Sequence, residues 1–200
     1  MSDTMMNSED FKRCVDFHGH VCGGLAIGYR AAKEGLSWLK EHRALDEELV
    51  TIVENDACGV DAIQVLTGCT FGKGNFFFKD YGKMAFTFFS RKTGQGVRLA
   101  PKDRGLGPNE EQKALFEKVR ANTATDEDRK RLGELGNKMA QSILDAPIDT
   151  LFSINPAQVP IPEKARIHAS IPCDRCNEPT MATRLEDVDG QKVCRGCLGA

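Results

Sequence analysis

Much is missing from this sequence, and each absence excludes something. No apolar run approaches the length of a membrane span. The start, Met1 to Asp10, is polar and acidic. It has neither the basic opening nor the apolar stretch of a secretory leader, so a cytoplasmic protein is expected. Neither charge predominates: 27 Lys and Arg face 29 Asp and Glu, a formal net charge of −2. That balance supports neither a nucleic acid nor a membrane as partner. The first three quarters of the chain contain no C-x-x-C pair, so exchange by adjacent thiols is not expected. There is no phosphate-binding P-loop either. In Thr67 to Asn75 three residues, not four, separate Gly68 from Gly72-Lys73, and Gly74 replaces the required Ser or Thr. Such a loop could still hold an anion through its N–H groups and Lys73.

What is present is cysteine. Two hundred residues allow one ordinary domain plus a small module, with a core that needs no disulfide. Eight cysteines in such a chain read as metal ligands or catalytic thiols. The densest stretch is Phe17-His18-Gly19-His20-Val21-Cys22-Gly23-Gly24, with two imidazoles and a thiol in five residues. A helical pattern follows, with Leu25, Tyr29, Ala32, Leu36 and Leu39 on one face. Cys22 is therefore expected at a helix N-terminus, where the dipole favours a thiolate. His18 and His20 point the same way if the segment is extended. Gly23 and Gly24 would let a ligand approach the backbone.

The same junction recurs. Ser8 caps a short helix that ends before His18. The helix after Gly24 runs to about His42, and Glu48 to Glu54 reads as a buried strand. Asn55-Asp56 then starts a helix over about 57–66, with Cys58 in its first turn and Asp61 one turn on. Strands are expected at Phe76–Phe78, Met84–Ser90 and Val97–Leu99. Helices are expected over Glu110–Arg120 and after Thr125, whose Asp128 makes a capping box. Leu151–Ile154 reads as a last strand, and Pro156, Pro160 and Pro162 as a linker.

Near the C-terminus, Cys173-x2-Cys176 and Cys194-x2-Cys197 match a tetrahedral structural zinc site. Met181–Val188 and Gln191–Val193 read as a hairpin around Asp189-Gly190. A closed four-cysteine site has no open position and is expected to do no chemistry.

The chain resembles the FmdE family, named for a component of formylmethanofuran dehydrogenase. The resemblance rests on the Phe17–Gly24 stretch, on Cys58-Gly59-Val60-Asp61-Ala62-Ile63-Gln64 and on Thr67–Asn75. It implies an α+β fold, a thioredoxin-like mixed sheet flanked by helices, followed by a treble-clef-type zinc finger. The corresponding organisation is a core domain over 1–155, a linker over 156–168 and a four-cysteine domain over 169–200. The implied core site draws on His18, His20, Cys22, Cys58, Asp61 and Lys73 as catalytic candidates. Cys69 lies nearby in the sequence motif. A ligand set of His20, Cys22 and Cys58 would suit a second Zn2+ or another divalent metal beside the structural Zn2+. Gly23 departs from the Pro of many relatives, and little chain follows Cys197 to build a final treble-clef helix. Three functions stay open: an accessory subunit of a molybdenum or tungsten dehydrogenase, a stand-alone zinc- or thiol-dependent enzyme, and a metal or sulfur carrier. A homodimer is also expected, because a Phe-rich sheet and the helix around Met139 offer apolar surface.

Overall fold

The computed structural model describes residues 5–102 and 107–199, so the first four residues of the polar start lie outside it. The chain forms two compact units, residues 1–164 and 165–200. In the first, a 3-10 turn leads into α1 (Glu9–His18) and α2 (Gly23–Leu39). Then come β1 (Leu49–Val53), α3 (Gly59–Thr67), β2 (Phe76–Phe78), β3 (Phe86–Ser90) and β4 (Gly96–Pro101). After them lie α4 (Glu110–Arg120), α5 (Asp126–Asp145), the one-turn α6 (Ile148–Leu151) and β5 (Phe152–Pro156).

The sheet order is β2-β1-β3-β4-β5. β1 and β2 are parallel, and the remaining pairs are antiparallel. This is the α+β arrangement, a mixed sheet flanked by helices, that the resemblance implies. β1 is buried at every residue, as a central strand covered on both faces must be. One face packs Val53, Phe76, Phe86 and Phe88 against the helices, with Leu25, Ile63 and Ile143 among their contributions. The other buries Val50, Ile52 and Phe89 beneath Ala157 and Ile161. Much of the phenylalanine is thus core: Phe86, Phe88 and Phe89 are all at most 2% exposed. The first proline-rich residues lie on this back face, where Arg91 donates to the carbonyls of Pro162 and Glu163.

Element ends follow local chemistry. Ser8 accepts from Phe11 N–H at 3.3 Å, and Thr125 and Asp128 form the expected capping box. α2 stops at Leu39, three residues short of His42, because Lys40 turns left-handed at φ 55°. Its N–H then closes on the carbonyls of Leu36 and Ser37. Arg30, buried in α2, donates to the carbonyls of Ile143, Leu144 and Ala146 at the end of α5. Those carbonyls would otherwise lack intrahelical partners. Arg98 on β4 makes a two-pronged pair with Glu54 at 2.7 and 2.8 Å.

The second unit pairs β6 (Ser170–Pro172) with β7 (Pro179–Met181) and β8 (Leu185–Val188) with β9 (Gln191–Cys194), then ends in the one-turn α7 (Arg195–Leu198). The hairpin is shorter than expected, because Ala182–Arg184 forms a 3-10 turn instead of strand. Its turn residues Asp189 and Gly190 both have positive φ, the conformation that tight two-residue hairpins require.

Candidate functional site

Two short helix beginnings meet above the C-terminal end of β1. Asn55 shapes one of them: its side-chain oxygen accepts from Ala57 N–H at 3.0 Å while its NH2 reaches the carbonyl of Lys83. Cys58 follows at the start of α3. The other beginning is Cys22, extended at φ −151°, whose sulfur accepts from Leu25 N–H at 3.4 Å. The helices meet closely because they present glycine. A Cβ on Gly24 would lie 3.1 Å from that of Cys58, and one on Gly28 would run into the carbonyl of Gly59. Gly23 faces Met139 in the same way. These glycines let the helices pack closely, and Gly23 and Gly24 also line the cavity beside them.

His18 and His20 arrive from α1. His18 belongs to that helix, and Gly19 ends it in the left-handed conformation at φ 91°. The segment is therefore a turn and not an extended strand. The turn still folds the two rings together, with centroids 4.5 Å apart. One ligand atom each from His18, His20 and Cys22 lie within 4.8 Å of one another. His18 Nδ1 lies 2.6 Å from Asp61 Oδ2, and its Nε2 lies 3.8 Å from Cys22 Sγ. A carboxylate behind an imidazole fixes the tautomer that leaves the other nitrogen free for a cation.

Cys22 and Cys58 line one cavity of about 630 Å³, shared with α4 and α5. Cys58 is not in the tight three-residue group; it is a neighbouring thiol. The Cys22 thiol is not made acidic by its helix. Burial pushes it up to about 11, and the nearby Cys58 adds to the rise, against the opposing pull of the Leu25 and Gly24 N–H groups. Desolvation exceeds the dipole effect here.

Lys73 does not reach this cluster. Its ammonium donates to the carbonyls of Leu45 and Gly68 at 3.0 and 2.9 Å. Gly68 caps the far end of α3, about 15 Å of helix from Cys58. Three of the loop's N–H groups are used internally, Thr70 on Asn75, Lys73 on Thr70 and Gly74 on Phe71. Cys69 and Cys14 are fully buried, and burial raises both thiols, Cys14 to about 12. Sequence reading placed Asp61 near the site without a partner; its pairing with His18 spans 43 positions and carries no local signal.

In the second unit, Cys173, Cys176, Cys194 and Cys197 bring their sulfurs within 4.8 Å of one another. N–H groups of Cys176, Cys194 and Arg175 draw the Cys173 thiol down to about 6, and Cys194 N–H lies 3.3 Å from its sulfur. The crowded neighbours, Cys194 first, push Cys197 up to about 12. Four thiols sharing so small a space form a set able to hold a metal ion, and all-sulfur tetrahedral donors suit zinc.

The family model described as "FmdE, Molybdenum formylmethanofuran dehydrogenase operon" matches residues 17–153. A protein of Archaeoglobus fulgidus described as a probable S-adenosyl-L-methionine-binding protein is 33% identical over 195 residues. The match takes in 94% of this chain and 52% of that protein, so the chain spans about half the length of this curated relative. A solved crystal structure of a tungsten formylmethanofuran dehydrogenase FmdE-like protein from Syntrophus aciditrophicus matches with a TM-score of 0.58. It shares 24% identity and covers 94% of this chain and 89% of its own, a likeness of fold.

Proposed function

The chain belongs to the FmdE family, and from that premise we propose a metal-binding protein with two centres of different purpose. The core centre is held by His18, His20 and Cys22, with Cys58 as the nearest further thiol. Asp61 orients His18 from behind. One observation carries this reading: His18 uses one nitrogen on Asp61 while its other lies beside Cys22. Zn2+ or another borderline-soft divalent ion fits two imidazoles and a thiolate, and three protein ligands leave a position for a small molecule. Such an ion supplies Lewis acidity to whatever occupies that position. The protein's own part is to hold the imidazoles and the thiol in place and to surround them with an apolar wall. The four-cysteine centre is a structural zinc in a treble-clef-type finger within the second unit, residues 165–200.

The family description supports a place beside a molybdenum or tungsten formylmethanofuran dehydrogenase-type enzyme, as an accessory or related component, and we propose that it acts as a homodimer. A cytoplasmic setting follows from that role; no helix among the described residues is long and apolar enough to cross a membrane. A thiol-dependent enzyme built on Cys22, His18 and Asp61 is the second reading, since those three align as nucleophile, base and orienting carboxylate. The elevated Cys22 thiol favours the metal reading, because a bound cation ionises a ligating thiol outright.

The test is metal analysis of protein purified without oxygen and without added metal, alongside Cys22→Ser and Cys176→Ser. Two equivalents in the wild type and one in each variant support two centres. One equivalent, unchanged in Cys22→Ser, would sink the core metal and leave the thiol reading.

A further inference from the structure

The cavity next to the core cluster is unevenly furnished. One end carries His20, Cys22 and Cys58. The walls between are apolar, with Ile27, Met84, Phe116 and Leu132 among them. No Asp, Glu or Lys is among the described residues lining it, and Arg129 is the permanent charge. Asp128 pairs with Lys118 and Glu111 with Arg131, each at 2.7 Å. Arg129 has no ion-pair partner among the described residues. Gln112 lines the same cavity and is only 6% exposed. Its side-chain oxygen is fixed on Asn109 N–H at 3.1 Å. That leaves its NH2 as a donor with no partner among the described residues. An amide NH2 with no protein partner is free to donate to a ligand that enters the cavity.

We infer that this cavity binds a small organic carboxylate with an apolar body, its anionic group held by Arg129 and Gln112. A single guanidinium matches one planar carboxylate, whereas a phosphate dianion would leave charge unmatched. A cavity of about 630 Å³ is in the range that encloses most of such a molecule. The proposal rests on the metal reading above only for the end of the molecule that lies toward His20 and Cys22.

Equilibrium dialysis of radiolabelled octanoate against the full-length protein tests this, with octanol, octylamine and octyl phosphate as competitors. Octanoate should bind, and each competitor should displace it at least tenfold less well than unlabelled octanoate. Arg129→Gln, an exposed position whose loss should not disturb folding, should weaken octanoate about tenfold. Absence of octanoate binding, displacement by octanol or octyl phosphate as effective as by octanoate, or unchanged binding in Arg129→Gln would overturn the proposal. Cobalt uptake measured on the same samples separates the two readings. Cobalt bound at the core with no octanoate binding defeats this inference alone, and octanoate bound without cobalt defeats the metal alone.

Discussion

His18 and Asp61 hold each other at 2.6 Å across 43 positions of chain, joining the last turn of α1 to the first turn of α3. The pair makes the imidazole stationary, with 11% of the His18 side chain exposed. Asp61→Asn keeps the shape but loses the charge. Core-site metal affinity should fall about 10- to 100-fold, measured by competition with a chromophoric chelator. The Asp61 side chain is 34% exposed, so the melting temperature should barely move. Unchanged affinity would remove Asp61 from the site.

Glu54 and Arg98 give the fold a pH dependence of known sign. Arg98 holds the Glu54 carboxyl below the usual carboxylate range, against the opposing effect of burial. A folded-state value below the unfolded one stabilises the fold above the unfolded value, about 4.3. That stabilisation disappears as pH falls through the lower, folded value. Arg98→Met should cost roughly 1–2 kcal/mol at pH 7, after discounting for the part of Arg98 that water reaches. Urea titrations should show the gap between wild type and variant closing below about pH 4. A gap independent of pH would show that the pair does not hold the carboxyl down.

Arg30 should matter far more than the exposed Lys33, two residues of one helix facing different surroundings. Arg30→Met strips the donors from three carbonyls at the end of α5 and should cost about 2–4 kcal/mol. Lys33→Ala loses an exposed pair with Asp10 and should cost under about 1 kcal/mol. Equal costs by chemical denaturation would contradict the difference in burial.

The features legible in the sequence are those whose cause lies within a few residues. Thr125 and Asp128, Asp189 and Gly190, and the paired cysteines near the end carry their geometry in their spacing. The Phe17–Gly24 stretch gathers His18, His20 and Cys22 by a turn and not by an extended segment. Lys73 shows that closeness to a motif in sequence is not closeness in space. α3 lies between it and Cys58 and sends the two to opposite ends of the helix. The reach of Arg30 to α5 spans more than a hundred positions and leaves no local trace.

The four-cysteine unit should stand or fall with its metal. It buries little: Cys173 and Val193 are the hydrophobic residues there at 1% exposure or less. A structural zinc contributes about 10–16 kcal/mol in small finger peptides, more than such a core supplies. Cys176→Ser, or a strong chelator, should disorder residues 165–200 while the core's unfolding transition stays in place. Amide exchange resolves the two units separately. A tail that stays protected without metal would show that its strands suffice.

Glycine gives the last prediction, because one substitution should have opposite signs at two sites. Gly28 lies where α2 crosses α3, and a Cβ there would meet the backbone carbonyl of Gly59, which cannot rotate aside. Gly28→Ala must push the helices apart and should cost about 1–3 kcal/mol, the usual range for overpacking. Gly133 sits in the exposed middle of α5, with nothing within 4 Å of an added Cβ. Gly133→Ala should stabilise by about 0.5–1 kcal/mol through the helix propensity of alanine. The first change carries a further consequence, since the same crossing sets Cys22 beside Cys58. Parting the helices should slow oxidative cross-linking of those two thiols, whereas Gly133→Ala should leave it unchanged. If Gly28→Ala is as stable as the wild type and cross-links as fast, the close crossing is not what brings the thiols to one cavity.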